Sequence, residues 1–406
     1  MRYAVALYMS SVLGSGVLVL PGLAAQIAGP ASLLAWVLLS SASYPLAYTF
    51  ASLSARKPES GGVYSFAREA FGLETADAVG WLFIAWYVTG APVVTVIAAS
   101  YLSYAIPLSK TMIYGVAALI ILGAFLINYR GIVVSGKVQL AVIVAIVGLL
   151  LTAIIASAPI VRVENFSPFF PYGIIPIGTA AALIFWSYLG YENVSNVAEE
   201  FKDPERDFHR SIVLSVVVIG ALYLSVAIAT VGTQAYKAGG SIAPFAAILS
   251  NALGVYGGVS TAILAVFIIF GTANAYTTGM SRVIYSVAKE GGLPKAIARI
   301  HPKTGVPHLS LALLSGPSFI TLTASYFLNI DLQTALLIPS GAAILVYVIG
   351  SASGIRLLKG RKARLYPWIS LGISVVMLPF VGIVLVISML IALFGFYYRR
   401  IRGLRR

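Results

Sequence analysis

The stretch Val12-Leu13-Gly14-Ser15-Gly16-Val17-Leu18-Val19-Leu20-Pro21 sits in the middle of an apolar segment long enough to cross a bilayer. Two glycines flanking a serine suit a continuous helix poorly, because each glycine costs about 1 kcal/mol relative to alanine. Inside a bilayer, broken backbone survives only where it is buried in protein or lines a cavity. The stretch therefore predicts a helix that breaks at Gly14-Ser15-Gly16, with a binding cavity beside the break. Small residues also let membrane helices approach closely, so the triplet taken alone leaves a packing role open.

Working outward, the composition sets the class. Hydrophobic residues make up 59% and charged residues 10% of the 406-residue chain, and the mean hydropathy is +0.94, whereas a soluble domain carries roughly 25% charged residues. Apolar runs of about 20 residues, without the ten-residue alternation of a barrel, predict an all-α polytopic membrane protein. The first segment reads as a span rather than a cleaved signal peptide, since many similar segments follow it. Cysteine is absent, which excludes a disulfide framework, a thiolate metal site and a cysteine nucleophile. His209, His301 and His308 are too scattered for a metal site, and no nucleotide-binding loop occurs, so neither metal nor cofactor is expected.

Hydrophobic runs bounded by charge place spans near 3–27, 32–54, 78–106, 111–128, 138–157, 176–197, 212–233, 257–287, 309–328 and 332–358. A last stretch, 366–398, is long for one span and short for two, with Pro379 and Gly382 near its middle. Cytoplasmic loops carry the excess of Lys and Arg. With the N-terminus inside and two short final helices, 24 of the 27 basic residues fall on the cytoplasmic side, leaving Lys110, Arg162 and Lys237 outside. Twelve spans with both termini cytoplasmic are therefore favoured over eleven, which would turn the tail Arg399 to Arg406 outward. The net charge of +14 is accordingly a signal of topology, with the lipid bilayer as partner and no nucleic acid.

A second interruption lies five spans after the first, at Phe185-Trp186-Ser187-Tyr188-Leu189-Gly190-Tyr191-Glu192-Asn193. Paired breaks at corresponding positions of two halves point to a transporter built from inverted repeats. At the first break, free backbone N–H groups and the positive end of the following half-helix can hold a carboxylate without a buried cation. Gly14 and Gly16 permit close backbone approach, and Ser15 adds a hydroxyl. Glu192 is the one acidic residue well inside a predicted span. It either stays bonded to free backbone groups as a structural element or carries a proton during transport. Trp186 and Tyr188 either close over a ligand or serve as ordinary packing.

Three motifs together carry a resemblance. Gly14-Ser15-Gly16-Val17, the run Phe185 to Glu192 followed by Glu199-Glu200-Phe201-Lys202-Asp203-Pro204-Glu205-Arg206, and Ser281-Arg282-Val283-Ile284-Tyr285 through Gly291-Gly292-Leu293-Pro294 resemble the signatures of the amino acid/polyamine/organocation (APC) superfamily permeases. The resemblance implies a LeuT-like 5+5 inverted-repeat core with broken helices one and six, plus two short C-terminal helices. The halves would be 1–158 and 168–360, with peripheral helices over 366–398 and a basic cytoplasmic tail at 399–406. It implies an integral protein of the plasma (inner) membrane that moves an amino acid by alternating access and is not an enzyme.

By the same resemblance, Gly14, Ser15 and Gly16, beside Val12, would hold the substrate carboxylate. The backbone of Trp186, Ser187 and Leu189 would take the amino group. Trp86, Tyr87, Gly90, Ala91 and Tyr276 would face the pocket. Glu199 or Glu200 with Arg282 would form an inner gate. One position departs from the family: several proton-coupled members carry a lysine near the middle of helix five, and the aligned position here is close to Ile146. Exchange, facilitated diffusion and coupling through Glu192 all remain open, and no coupling ion is assigned. The expected pocket walls hold no acid or base to pair a charged side chain, so a neutral, small or hydrophobic amino acid is favoured. The run Gly14 to Ala25 also resembles the exporter branch for methionine and branched-chain amino acids. Alternatives are an amino-acid sensor on a permease fold and a transporter of a related amine.

Overall fold

The computed structural model describes residues 12–56, 61–131, 136–192, 204–237 and 240–403, with backbone alone at 136 and 204–211. Every regular element among the described residues is helical. Among the described residues, nine helical stretches are long and apolar enough to cross a membrane, and two of these, Gly16–Arg56 and Arg361–Ile401, each bend into two helices.

The helix is interrupted over Leu13 to Ser15 and resumes in α1, Gly16–Ala28, with Ser15 already at helical backbone angles. Gly29, at φ 61°, turns it directly into α2, Ser32–Arg56. A Cβ at Gly29 would lie 2.5 Å from Cγ of Pro171, so both backbone angle and space require glycine there. A short α3, Val63–Phe71, leads through Gly72, at φ 94°, into α4, Leu73–Leu102. Then follow α5, Lys110–Tyr129, and α6, Gly136–Ser157. The short α7, Ile175–Ile184, tightens into a 3-10 turn over Phe185–Tyr188 and ends in extended backbone at Leu189. Beyond the residues not described come α8, Pro204–Gly232; α9, Pro244–Leu253; α10, Val255–Lys289; α11, His308–Phe327; and α12, Leu332–Leu357.

Three helix starts fall more than a turn before the sequence reading, one of them that of α8, at Pro204 rather than Ile212. The third span starts at Leu73 rather than Ala78, because Gly72 rather than the onset of hydropathy sets its first residue. This draws Asp77 into the helix, fully buried, so Glu192 is not the only acid inside a span. The final stretch starts at Arg361 rather than Tyr366. It divides into α13, Arg361–Val381, and α14, Leu385–Ile401. The turn falls at Gly382, φ 75°, three residues past Pro379.

Burial grades from centre to edge. The most apolar window of α4 is 72% buried, against 11% for that of the α13–α14 stretch. α4 packs against α5, α10, α11, α12 and α14 and so forms the hub. α1 packs on α7, α2 on α8, and α5 on α11. α12 lies against α4 and α2, while α6 lies against α10 and α8. α13 covers α12, α2 and α7. Trp36, Tyr188 and Tyr223 cluster in the core, with ring centroids 5.3 to 6.3 Å apart.

Candidate functional site

Both interruptions open onto one cavity of about 60 Å³. Val12, Gly14, Ser15 and Gly16 line it from the first break, and Trp186, Ser187 and Leu189 from the second. Trp86, Tyr87, Gly90 and Ala91 contribute from α4, and Tyr276 from α10. The structure thus brings together all twelve residues named as pocket-facing from sequence. It adds Val94, Thr272, Ala273 and Met280, which sequence reasoning missed. Helical spacing held the signal: Thr272, Tyr276 and Met280 follow each other every four residues, and Val94 stands four after Gly90.

Trp186 fixes the shape of the cavity. A Cβ on Gly16 would lie 2.7 Å from its Cδ1, and a Cβ on Gly90 would lie 2.7 Å from its Cη2. The indole is held between two bare backbones and meets Trp86 edge-on, with centroids 6.3 Å apart. Gly14 is different: a Cβ there would meet Thr272 Cγ2 at 3.8 Å, an ordinary contact. The second glycine of the triplet is therefore the sterically demanded one.

One hydroxyl joins the two breaks. Tyr223 Oη on α8 stands 3.2 Å from the carbonyl oxygens of both Val12 and Ser187, a shared donation across the chain interruptions. Tyr101 Oη donates to the Leu18 carbonyl at 2.5 Å, bracing the first turn of α1. Tyr87 Oη and Thr277 Oγ1 pair at 2.5 Å, joining α4 to α10 on the cavity wall. Ser187 Oγ, by contrast, is buried and has no hydrogen-bond partner.

The electrostatics come from backbone, since no charged side chain lines the cavity among the described residues. No side chain caps the start of α1 at Ser15, and the first turn of any helix leaves N–H groups without intrahelical acceptors. That end carries the positive pole of the helix dipole. Across the cavity, the end of α7 presents carbonyl oxygens and the negative pole.

Behind the second break, Gly190 takes φ 123°, a conformation that other residues rarely adopt. Its N–H donates to Glu192 Oε2 at 2.9 Å, and Tyr347 Oη on α12 donates to the same oxygen at 2.5 Å. Tyr347 was not picked out from sequence, and nothing in its local pattern marks it. Ile146 is fully buried in α6, and Lys137 is exposed. Ser340 stays away from the cavity and donates to the Leu336 carbonyl of its own helix. Arg282 is exposed on α10; Glu199 and Glu200 lie outside the described residues. His301 and His308, distant in spacing terms, meet edge-on at 5.5 Å, yet no group of three ligand-type side chains forms among the described residues.

A chain whose described residues form apolar helices long enough to cross a membrane, with two interrupted segments meeting at one cavity, is an integral membrane protein with a candidate site for a small molecule. Comparison with known proteins narrows the class. A family model described as amino acid permease matches residues 2–400. An uncharacterized amino acid permease, YecA, of Bacillus subtilis is 34% identical over 401 residues, covering 98% of this chain and 94% of its own. The L-methionine/branched-chain amino acid exporter YjeH of Escherichia coli is 29% identical over 390 residues, covering 93% and 90%. The branched-chain amino acid permease BcaP of Bacillus subtilis is 27% identical over 331 residues, covering 74% and 69%. The chain belongs to the amino acid permease family, and it is a transporter rather than an enzyme by that membership.

Proposed function

We propose that this protein carries a neutral, hydrophobic amino acid across the plasma membrane by alternating access. The observation that carries the reading is the cavity itself. It sets the uncapped start of α1 opposite the carbonyl end of α7, with no charged side chain among the described residues of its walls. The carboxylate sits at the N–H groups of Gly16 and its neighbours, and the ammonium at the carbonyl end near Trp186 and Ser187. A volume of about 60 Å³ exceeds the roughly 10–15 Å³ that a single water needs. That is room for the zwitterionic core and a short side chain; a longer one requires Trp186 or Met280 to swing aside. The uncharged walls disfavour a lysine, arginine or glutamate side chain, since a buried unpaired charge is costly. The printed names of two relatives, a methionine/branched-chain exporter and a branched-chain permease, agree with a hydrophobic substrate.

The helix pairings support a 5+5 inverted repeat within twelve spans. Exchanging the first five spans for the next five turns the α4–α12 contact into α10–α6, the α2–α7 contact into α8–α1, and α2–α12 into α8–α6. Each exchanged contact is present. Both termini are cytoplasmic in this arrangement. Ile146 stands where a lysine would supply a fixed cation, so we assign the protein to exchange rather than to lysine-based proton coupling.

A thermal-shift screen of the twenty amino acids on purified protein, followed by counterflow in proteoliposomes, tests the reading. A bound substrate raises apparent stability by mass action. Stabilisation by methionine, leucine, isoleucine or valine together with counterflow is the expected result. Binding without flux would make the protein a sensor on a permease fold.

A further inference from the structure

The α12–α13 corner carries a feature the transport cavity does not use. Lys359, Gly360, Arg361, Arg364, Leu365 and Trp368 line a surface cavity of about 530 Å³. Arg361, Arg364, Leu365 and Trp368 stand at i, i+3, i+4 and i+7 and so share one helical face. That face is graded along its length: cations occupy its first turn, and the apolar Leu365 and Trp368 continue it into the bundle's outer surface. Trp368 is 58% exposed and Leu365 53% exposed. Lys362 adds a fourth charge within six residues, and no acidic side chain occurs anywhere after Asp331. None of these four cations has an ion-pair partner among the described residues. Arg364 is positioned rather than loose: its Nε donates to the Leu358 carbonyl at 2.8 Å, which leaves its terminal nitrogens for a ligand.

We propose that this corner binds the headgroup of an anionic phospholipid, with the phosphate among Lys359, Arg361 and Arg364 and an acyl chain along Leu365 and Trp368. A basic pocket beside a membrane helix suits a phosphate headgroup, arginine engages phosphate through two parallel hydrogen bonds, and tryptophan favours the interface. A soluble phosphate would use the cations alone and gain nothing from the apolar lower wall. The site lies at the peripheral α13 and is independent of which amino acid the central cavity takes.

Quenching of tryptophan emission by brominated lipid tests it, because Trp368 is the most exposed of the five tryptophans. The full-length protein is placed in vesicles of phosphatidylcholine with a minor share of phosphatidylglycerol, and the bromine is carried by one lipid or the other. Each Lys or Arg near an anionic surface contributes a factor of about five in affinity, so phosphatidylglycerol at equal mole fraction should quench at least about fivefold more effectively. Trp368→Phe should remove the difference, which locates it. The Lys359→Gln/Arg361→Gln/Lys362→Gln/Arg364→Gln variant should abolish the preference. Lys359→Gln/Lys362→Gln, which spares the Arg364 bond, should weaken it and guards against misfolding of the fourfold variant. Equal quenching by the two lipids, or a preference unchanged in the variants, overturns the proposal. Loss of the preference on adding millimolar inorganic phosphate would assign the site to a soluble anion and overturn it equally.

Discussion

The guanidinium of Arg399 donates to both carboxylate oxygens of Asp77, from Nε at 2.5 Å and from Nη2 at 3.1 Å. Nη2 also reaches the Glu290 carbonyl at 2.9 Å, and Tyr64 Oη donates to Asp77 Oδ1 at 3.3 Å. Arg68 pairs with the Glu290 carboxylate at 2.5 Å. The buried Asp77–Arg399 pair thus joins α14 to α4, to α3 and to the end of α10. Removing one partner of a buried pair strands the other charge, whereas removing both does not. Arg399→Gln should therefore destabilise the protein by about 3 kcal/mol, and Asp77→Asn/Arg399→Gln should regain more than half of that loss. Thermal unfolding of the purified protein in detergent measures both. An unchanged midpoint in Arg399→Gln would mean that α14 is held by apolar packing alone.

Gly16 and Gly90 grip the two ends of the Trp186 indole, so each should refuse a methyl group for the same reason. Overpacking at such a contact costs about 1–3 kcal/mol. Gly16→Ala and Gly90→Ala should each lower stability and displace the ring, with reduced amino-acid binding. Because the clash partner is shared, the defects should not add to those of a smaller ring: Trp186→Phe should relieve much of each glycine substitution. Simple additivity in that double-mutant cycle would show that the glycines serve some contact other than Trp186.

The carboxylate of Glu192 is held by Gly190 N–H and Tyr347 Oη inside the unwound segment. Such bonding gives it a structural task, bracing a strained glycine turn, and a neutral amide of the same shape can retain part of it. Tyr347→Phe should cost about 1–3 kcal/mol, the penalty for a buried acceptor losing its donor. Glu192→Gln should leave counterflow measurable. A folded Glu192→Gln protein that binds substrate yet exchanges none would assign proton transfer to the carboxylate.

What the sequence disclosed and what it withheld have separate physical causes. Gly14-Ser15-Gly16 and Leu189-Gly190 advertise helix breaks through local backbone cost, which needs no knowledge of the fold. The cavity residues on α4 and α10 came through family resemblance, and helical spacing then extends them to Val94, Thr272 and Met280. Asp77 was hidden because hydropathy begins at Ala78 while the helix begins at Leu73, and its partner is 322 residues away. Tyr347 lies 155 residues from Glu192 and sits in an apolar run like any other tyrosine. Pairings of that range are set by tertiary packing and leave no periodic trace. The same holds for Tyr223, whose hydroxyl ties together two breaks that the sequence shows only separately.

Ser187 Oγ offers the sharpest test of the substrate site, because it is buried in the cavity wall and unpartnered. A buried hydroxyl without a hydrogen bond lowers stability through its lost hydration, so removing it from the empty protein should cost little. Ser187→Ala is expected to unfold within about 0.5 kcal/mol of the unmodified protein, or slightly later. If the hydroxyl is reserved for the amino acid, the cost appears only with ligand present. The loss of one bond to a charged group, about 1.5–3 kcal/mol, should weaken binding by roughly ten- to a hundredfold. Thermal shifts measured with and without methionine or leucine separate the two effects. An unchanged ligand-induced shift in Ser187→Ala would place the substrate's charged groups elsewhere in the cavity and return the hydroxyl to the packing of the α7 turn.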